Sequence, residues 1–106
     1  MISFEEFQRL DLRVGKIIEA SRIEGSEKLV KLEVDLGQEQ RQLVAGIGQD
    51  YAPEELIGRV IVVVANLESR NLMGIESQGM LLAVDSESGP VLLMPDKPVP
   101  AGSKIR

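Results

Sequence analysis

An all-β fold is expected, a five-stranded Greek-key barrel with one short helix between strands three and four and another at the N-terminus. Three observations predict it. Val30, Leu32, Val34 and Leu36 alternate with Lys31, Glu33 and Asp35, the period of two that marks a half-buried antiparallel strand. Val60 to Leu67 is rich in β-branched residues and nearly continuous in apolarity, as in a strand covered on both faces. Between these, Tyr51 to Gly58 is bracketed by Pro53 and Gly58, which leaves room for about one and a half helical turns.

Taken in order, Ser3 followed by Glu6 fits a capping box, and Ile2 with Phe7 fits a hydrophobic staple, so a short helix runs through about Arg9. Phe4, Phe7 and Leu10 then form one apolar face, to be buried on the domain or on another subunit, with the domain favoured. Leu12 to Ile23 reads as a long strand with Gly15 as a bulge or bend, and Gly25-Ser26 supplies the turn after it. Gly37 closes the second strand, and Gln42 to Ile47 forms the third. Val60 to Leu67 is the expected central strand. Gln78 to Val84 and Val91 to Met94 follow, separated by the turn-forming run Asp85 to Pro90. The tail holds Pro95, Pro98, Pro100 and Gly102, so it is extended and unfit for a central strand. Five strands with a helix after the third is the element order of an OB-fold. An SH3-like barrel is the competitor, and the helix position favours the OB reading.

At 106 residues the chain is one domain, 1–106, able to bury roughly two-thirds of its unfolded surface around one core. There is no internal repeat, low-complexity tract or linker. Nothing is long enough to span a bilayer as a helix, and Glu5-Glu6 stands where a secretory signal needs a basic and then an apolar stretch; a cytoplasmic location and no membrane partner are expected. With no cysteine and no histidine, Ser-His-Asp and Cys-His catalysis are excluded. No spacing points to a Ser-Lys or two-carboxylate mechanism either, so a non-catalytic protein without cofactor or metal is expected.

The net charge of −5 argues against indiscriminate nucleic-acid binding, although Arg13, Lys16, Arg22, Lys28 and Lys31 crowd the first third and allow one basic face. Phe4, Phe7 and Tyr51 are the only aromatics. Base stacking on aromatic platforms is therefore scarce, which favours recognition of a folded RNA through shape, phosphate and ribose over single-strand binding.

The most informative segment is NLESRNLMGIESQGM, Asn66 to Met80, which follows the apolar run as a binding loop would. With DLRVGKI (Asp11 to Ile17) and LEVDLG (Leu32 to Gly37), it resembles the tRNA-binding domain found at the C-terminus of many methionyl-tRNA synthetases and in small free-standing proteins. The resemblance covers essentially the whole chain. Asn66, Leu67, Arg70, Gly74, Ser77, Gly79 and Met80 match that family's loop pattern. It implies that Asn66 and Ser77 bond sugar or phosphate, Arg70 clamps a phosphate, and Met80 touches a base or ribose. The competing readings are that Asn66 and Ser77 cap loop backbone and that Met80 fills the core. Arg13, Lys16, Lys28 and Lys31 fall on regions like the family's RNA-facing surface, against the alternative of a solvated strand face. Glu68-Ser69 stands where the family has Lys-Pro, and Asn71 and Met73 stand at commonly basic positions. Each missing phosphate contact lowers affinity and salt dependence.

The resemblance implies structure-specific, largely sequence-independent tRNA binding, with assistance to a synthetase in trans. No Rossmann unit fits in the chain, so it does not aminoacylate alone. Two rivals stand beside this reading: a chaperone-like branch of the family that binds unfolded polypeptide in protein export, and a structural dimerisation module. The resemblance also implies a homodimer, through Phe4, Phe7 and Leu10 together with Val91, Leu92, Leu93 and Met94, apolar residues that a small barrel does not readily hide.

Overall fold

Strand β1 (Leu12–Arg22) organises the molecule. A computed structural model of the chain describes residues Met1 to Arg106. Along one edge β1 pairs antiparallel with β2 (Val30–Asp35), and along the other with β4 (Val60–Val64). β3 (Gln40–Ala45) adds beyond β2, and the two-residue β7 (Met80–Leu81) adds beyond β4, giving the order β3-β2-β1-β4-β7. This curled, nearly closed sheet is an OB-fold barrel. The centre is thus β1 rather than the Val60 segment: its eleven residues pair with β2 over the C-terminal half and with β4 and the tail residues Lys104 and Ile105 over the N-terminal half. Along β4, Ile61, Val63 and Val64 are buried while Val60 and Val62 are only half-buried.

Alternation works as expected on β2: Val30, Leu32, Val34 and Leu36 are fully buried, packed with Ile17, Leu43, Ile61 and Val63. Gly15 lies in this core and is not a bulge. A Cβ there would stand 2.5 Å from Val34 Cγ1 and 3.0 Å from Leu36 Cδ2, so core side chains already fill the space that a side chain at Gly15 would need. The register shift falls instead between Ile17 and Glu19.

Helix α1 (Phe4–Gln8) has both halves of the Ser3–Glu6 capping box, yet no residue of it is buried. Phe4 is 70% exposed, so burial on the domain itself is not what becomes of this face. Helix α2 (Pro53–Leu56) starts at a proline, ends before Gly58 at φ 91°, and inserts Leu56 into the core. The expected strand Gln78 to Val84 is broken. After β7 the chain leaves the barrel as β8 (Ala83–Ser86), which pairs with β9 (Gly89–Leu92) in a separate hairpin. The extended tail returns to lay β10 (Lys104–Ile105) beside Leu12 and Arg13.

Candidate nucleic-acid interface

The segment from Asn66 to Met80 is more ordered than a loop. β5 (Arg70–Leu72) and β6 (Ile75–Ser77) form a hairpin in which Leu72 faces Ile75 across the turn residues Met73 and Gly74. Both turn residues have positive φ, 52° and 81°, the twist that lets a two-residue turn follow the right-handed curl of its strands. Glycine takes that conformation freely, whereas Met73 takes it under strain.

Hydrogen bonds dock the return strand on β3. Gln78 N donates to Gln42 O at 2.8 Å, Gln42 N to Gln78 Oε1 at 3.1 Å, and Gln42 Nε2 to Glu76 O at 2.7 Å. Ser77 Oγ accepts from Val44 N at 3.0 Å and donates to Gly79 O at 2.9 Å. At the hairpin's base Arg41 Nη1 donates to Ala65 O at 2.6 Å and Gln78 O at 3.2 Å. These bonds close the barrel between β3 and the segment leading into β7, and hold the hairpin against it. At the tip Met73 Cε lies 3.4 Å from where a Cβ on Gly25 would stand, so the hairpin leans over the β1–β2 loop. That loop is itself braced: Ser26 Oγ accepts from Leu29 N, Arg22 Nη1 donates to Gly48 O at 2.7 Å, and Gly48 N donates to Lys28 O.

Most of the loop pattern turns out to build this geometry. Asn66 accepts from Asp11 N and donates to Arg9 O, tying the hairpin's start to the chain after α1. Ser77 is 2% exposed with its hydroxyl satisfied inside the fold, so it cannot reach a ligand, and the sugar- or phosphate-binding role expected for it is withdrawn. Gly79, at φ 133°, sits where a Cβ would meet Val64 O at 2.8 Å. Met80 is half-buried and packed on the core. Arg70 alone of the expected loop contacts projects freely, joined by exposed Asn71 and Met73, the latter 57% exposed.

The expected cations do not form one patch. Lys28 and Arg70 are exposed toward the hairpin end, and Lys16 is exposed midway along β1. Arg13 lies near the opposite end of β1, about 30 Å of strand from Arg22. Its Nε and Nη2 both reach the Asp11 carboxylate at 3.0 Å. That hydrogen bond, reinforced by the charge pairing, holds the Asp11 carboxyl below its ordinary range and raises the Arg13 guanidinium. Arg13 is therefore already committed. The β1–β2 loop carries exposed Glu24 and Glu27 beside Lys28, and the Asn66 to Met80 segment carries exposed Glu68 and Glu76 beside Arg70, so neither segment is basic overall. Neither the β1–β2 loop nor the Asn66 to Met80 segment carries an aromatic residue. Tyr51 packs on the core, accepts from Leu92 N at 3.3 Å, and carries the Arg59 guanidinium 5.2 Å above its ring.

Arg41, Gln42 and Gln78 were not expected as site residues. The signal lay in the third strand, where Arg41 takes an inward-facing register opposite the buried Val34, a place for a charge only if bonds await it. No cluster of three or more His, Cys, Asp or Glu side chains suits a metal ion, and no helix is long and apolar enough to cross a membrane.

The model of the family described as "Putative tRNA binding domain" matches residues 12–104, from the first residue of β1 into β10. The chain belongs to this tRNA-binding domain family. It is similar to methionine–tRNA ligases: 59% identical over 106 residues to that of Methanothrix thermoacetophila, and 54% over 104 residues to that of Caldanaerobacter subterraneus. All or nearly all of the chain is covered, but it spans only 16% of the length of either ligase. Among solved structures, the tRNA-binding domain superposes on a MetRS-related protein of Pyrococcus horikoshii with TM-score 0.94 at 36% identity, covering 100% of this chain and 98% of that one. It superposes on the chaperone CsaA of Bacillus anthracis with TM-score 0.90, also at 36% identity, covering 100% and 99%.

Proposed function

We propose that the chain is a non-catalytic module that binds folded tRNA through the hairpin and β1–β2 loop, largely without regard to sequence, and serves a methionyl-tRNA synthetase in trans. One observation carries this reading: a hairpin docked by hydrogen bonds presents Arg70, Asn71 and Met73 to solvent, and neither it nor the β1–β2 loop carries an aromatic residue. A guanidinium and a side-chain amide suit phosphate and ribose, whereas single strands are held mainly by stacking. Likeness to methionine–tRNA ligases over the whole chain supports the same partner. The test is a titration with total tRNA and with an unstructured oligonucleotide of equal length, at low and moderate salt. Tighter, salt-sensitive binding of tRNA is expected; equal or tighter binding of the oligonucleotide refutes the reading.

We further propose a two-fold pairing of the chain. A groove of about 410 Å³ runs between α1 and the C-terminal residues, lined by Phe4, Phe7, Leu10, Leu12 and Ile105, and Val91, Leu93 and Met94 are exposed elsewhere. Leu92 drops out of this proposal, because it is 7% exposed within the core cluster. Sedimentation showing only monomer at tens of micromolar, roughly the ceiling for an obligate pair, overturns it.

A polypeptide-binding role is the second reading, favoured by the likeness to a chaperone and by the carboxylates around Arg70. Binding of unfolded peptide that is insensitive to salt, with no tRNA binding, moves it ahead.

A further inference from the structure

Helix α1 has an unusual ending. A five-residue helix with no buried side chain and no basic residue in its last turn has little to hold it. Its N-terminus is capped from within by Ser3 and Glu6. Its C-terminal carbonyls need partners, as those of every helix do. The partner of the Arg9 carbonyl is the side chain of Asn66, 57 positions away, whose Nδ2 donates at 2.6 Å. The same amide turns its Oδ1 to Asp11 N at 2.8 Å, and Ala65 N donates to Asp11 O at 2.8 Å. On its other side Ala65 offers its carbonyl to Arg41, which also holds Gln78 O where the hairpin ends. The Asn66 amide thus joins the helix end to the entry to β1, and its neighbour Ala65 is linked through Arg41 to the far end of the hairpin segment at Gln78.

We propose that Asn66 is a positioning residue that couples the order of α1 to the order of the β5–β6 hairpin. Aspartate does not reproduce the arrangement, since it keeps the acceptor for Asp11 N–H but sets a second acceptor against the Arg9 carbonyl. Alanine removes both bonds. Whatever stabilises α1 then also stabilises the hairpin, and by linkage whatever binds the hairpin stabilises α1. As far as the hairpin's ligand is tRNA, this rests on the function proposed above; the coupling itself does not.

Backbone hydrogen exchange on the 106-residue chain without RNA provides the test. Asn66→Ala is expected to speed exchange about tenfold in residues 7–11 and in 70–77 together, the scale for losing two hydrogen bonds, while β1 and β2 amides of the core stay protected. Asn66→Asp is expected to release α1 while retaining protection of the Asp11 amide, which separates the two bonds and guards against a variant that fails to fold. Ser3→Ala, which removes only the N-cap, supplies the cycle: it speeds hairpin exchange about threefold with Asn66 present and has no further effect in the Asn66→Ala background. A Ser3→Ala effect confined to α1, or equal effects in both backgrounds, overturns the coupling. A companion tRNA titration separates the two ideas. A parent protein that fails to bind tRNA sinks the RNA reading and leaves the exchange result standing, whereas tRNA binding with additive exchange effects sinks only the coupling.

Discussion

Ser77→Ala decides whether the loop pattern is architecture or interface. The Ser77 hydroxyl accepts from Val44 N at 3.0 Å and donates to Gly79 O at 2.9 Å, and both Ser77 and Val44 are buried. Alanine keeps the volume to within one oxygen but leaves a buried N–H and a carbonyl without partners. Such a loss costs about 1 to 3 kcal/mol. Taking about 2 kcal/mol, and a few degrees of Tm for each kcal/mol in a domain of this size, thermal unfolding should fall by about 10 °C. Below that melt the folded variant should bind tRNA within about twofold of the parent, since the hydroxyl never reaches solvent. Calorimetry paired with a tRNA titration at 20 °C below the variant's midpoint, roughly where a two-state domain is fully folded, reads both. An unchanged Tm with lost tRNA affinity refutes the reasoning, because it places the hydroxyl on the ligand.

Other outcomes follow from the same geometry. Arg70→Ala should weaken tRNA binding by about 1 to 3 kcal/mol, the worth of a charge-assisted contact, and lower the salt slope by about one, with Tm unmoved; a folded variant that binds like the parent removes the hairpin from the interface. Met73→Gly should raise Tm slightly, since relief of about 1 kcal/mol of left-handed strain outweighs glycine's added chain freedom, while tRNA binding weakens for want of an apolar tip; a drop in Tm argues against the strain. Asp11 has a depressed folded pKa, so its ion pair contributes stability above the ordinary carboxylate range and loses it as pH falls through that lowered value. Urea midpoints from about pH 5 to about pH 2 should therefore fall less in Asp11→Asn than in the parent; parallel curves count against the pair.

The barrel was readable because its cause is local. The alternation on Val30 to Leu36 needs only neighbours two apart to be seen, and Pro53 with Gly58 marks α2 through backbone preference alone. What could not be read depends on partners distant in the chain. Gly15 announces backbone freedom, but its reason is the Val34, Leu36 and Val63 side chains across the core. Ser77 and Asn66 carry polar groups equally fit for a ribose and for a backbone amide. Only the fold shows that Val44 and Asp11 claim them first. Leu92 similarly joined an exposed-looking apolar run, although the β8–β9 hairpin turns it inward while Val91 and Leu93 stay out. The hairpin's own turn was within reach, since Met-Gly between two short paired runs is turn spacing, but a strained methionine at the first turn position hid it.

The acidic surroundings of Arg70 are consistent with discrimination on the proposed reading. A strongly basic face binds any polyanion through counterion release, and its affinity reports charge density more than shape. Here exposed Glu68 and Glu76 share a segment with Arg70, and exposed Glu24 and Glu27 share a loop with Lys28, on a chain of net charge −5, so a generic phosphate backbone meets carboxylates as well as cations there. Only a ligand whose curvature sets a phosphate on Arg70 while keeping others away from the carboxylates gains from the contact. That condition demands a stiff hairpin, because a mobile one would let the guanidinium follow any strand. The bonds from Gln42, Ser77, Arg41 and Asn66 supply that stiffness without spending the exposed side chains of the face. Replacing Glu68 and Glu76 by glutamine should therefore raise affinity for unstructured RNA more than for tRNA. A gain that is equal for the two, measured at one salt concentration, shows that the carboxylates merely weaken binding and do not select.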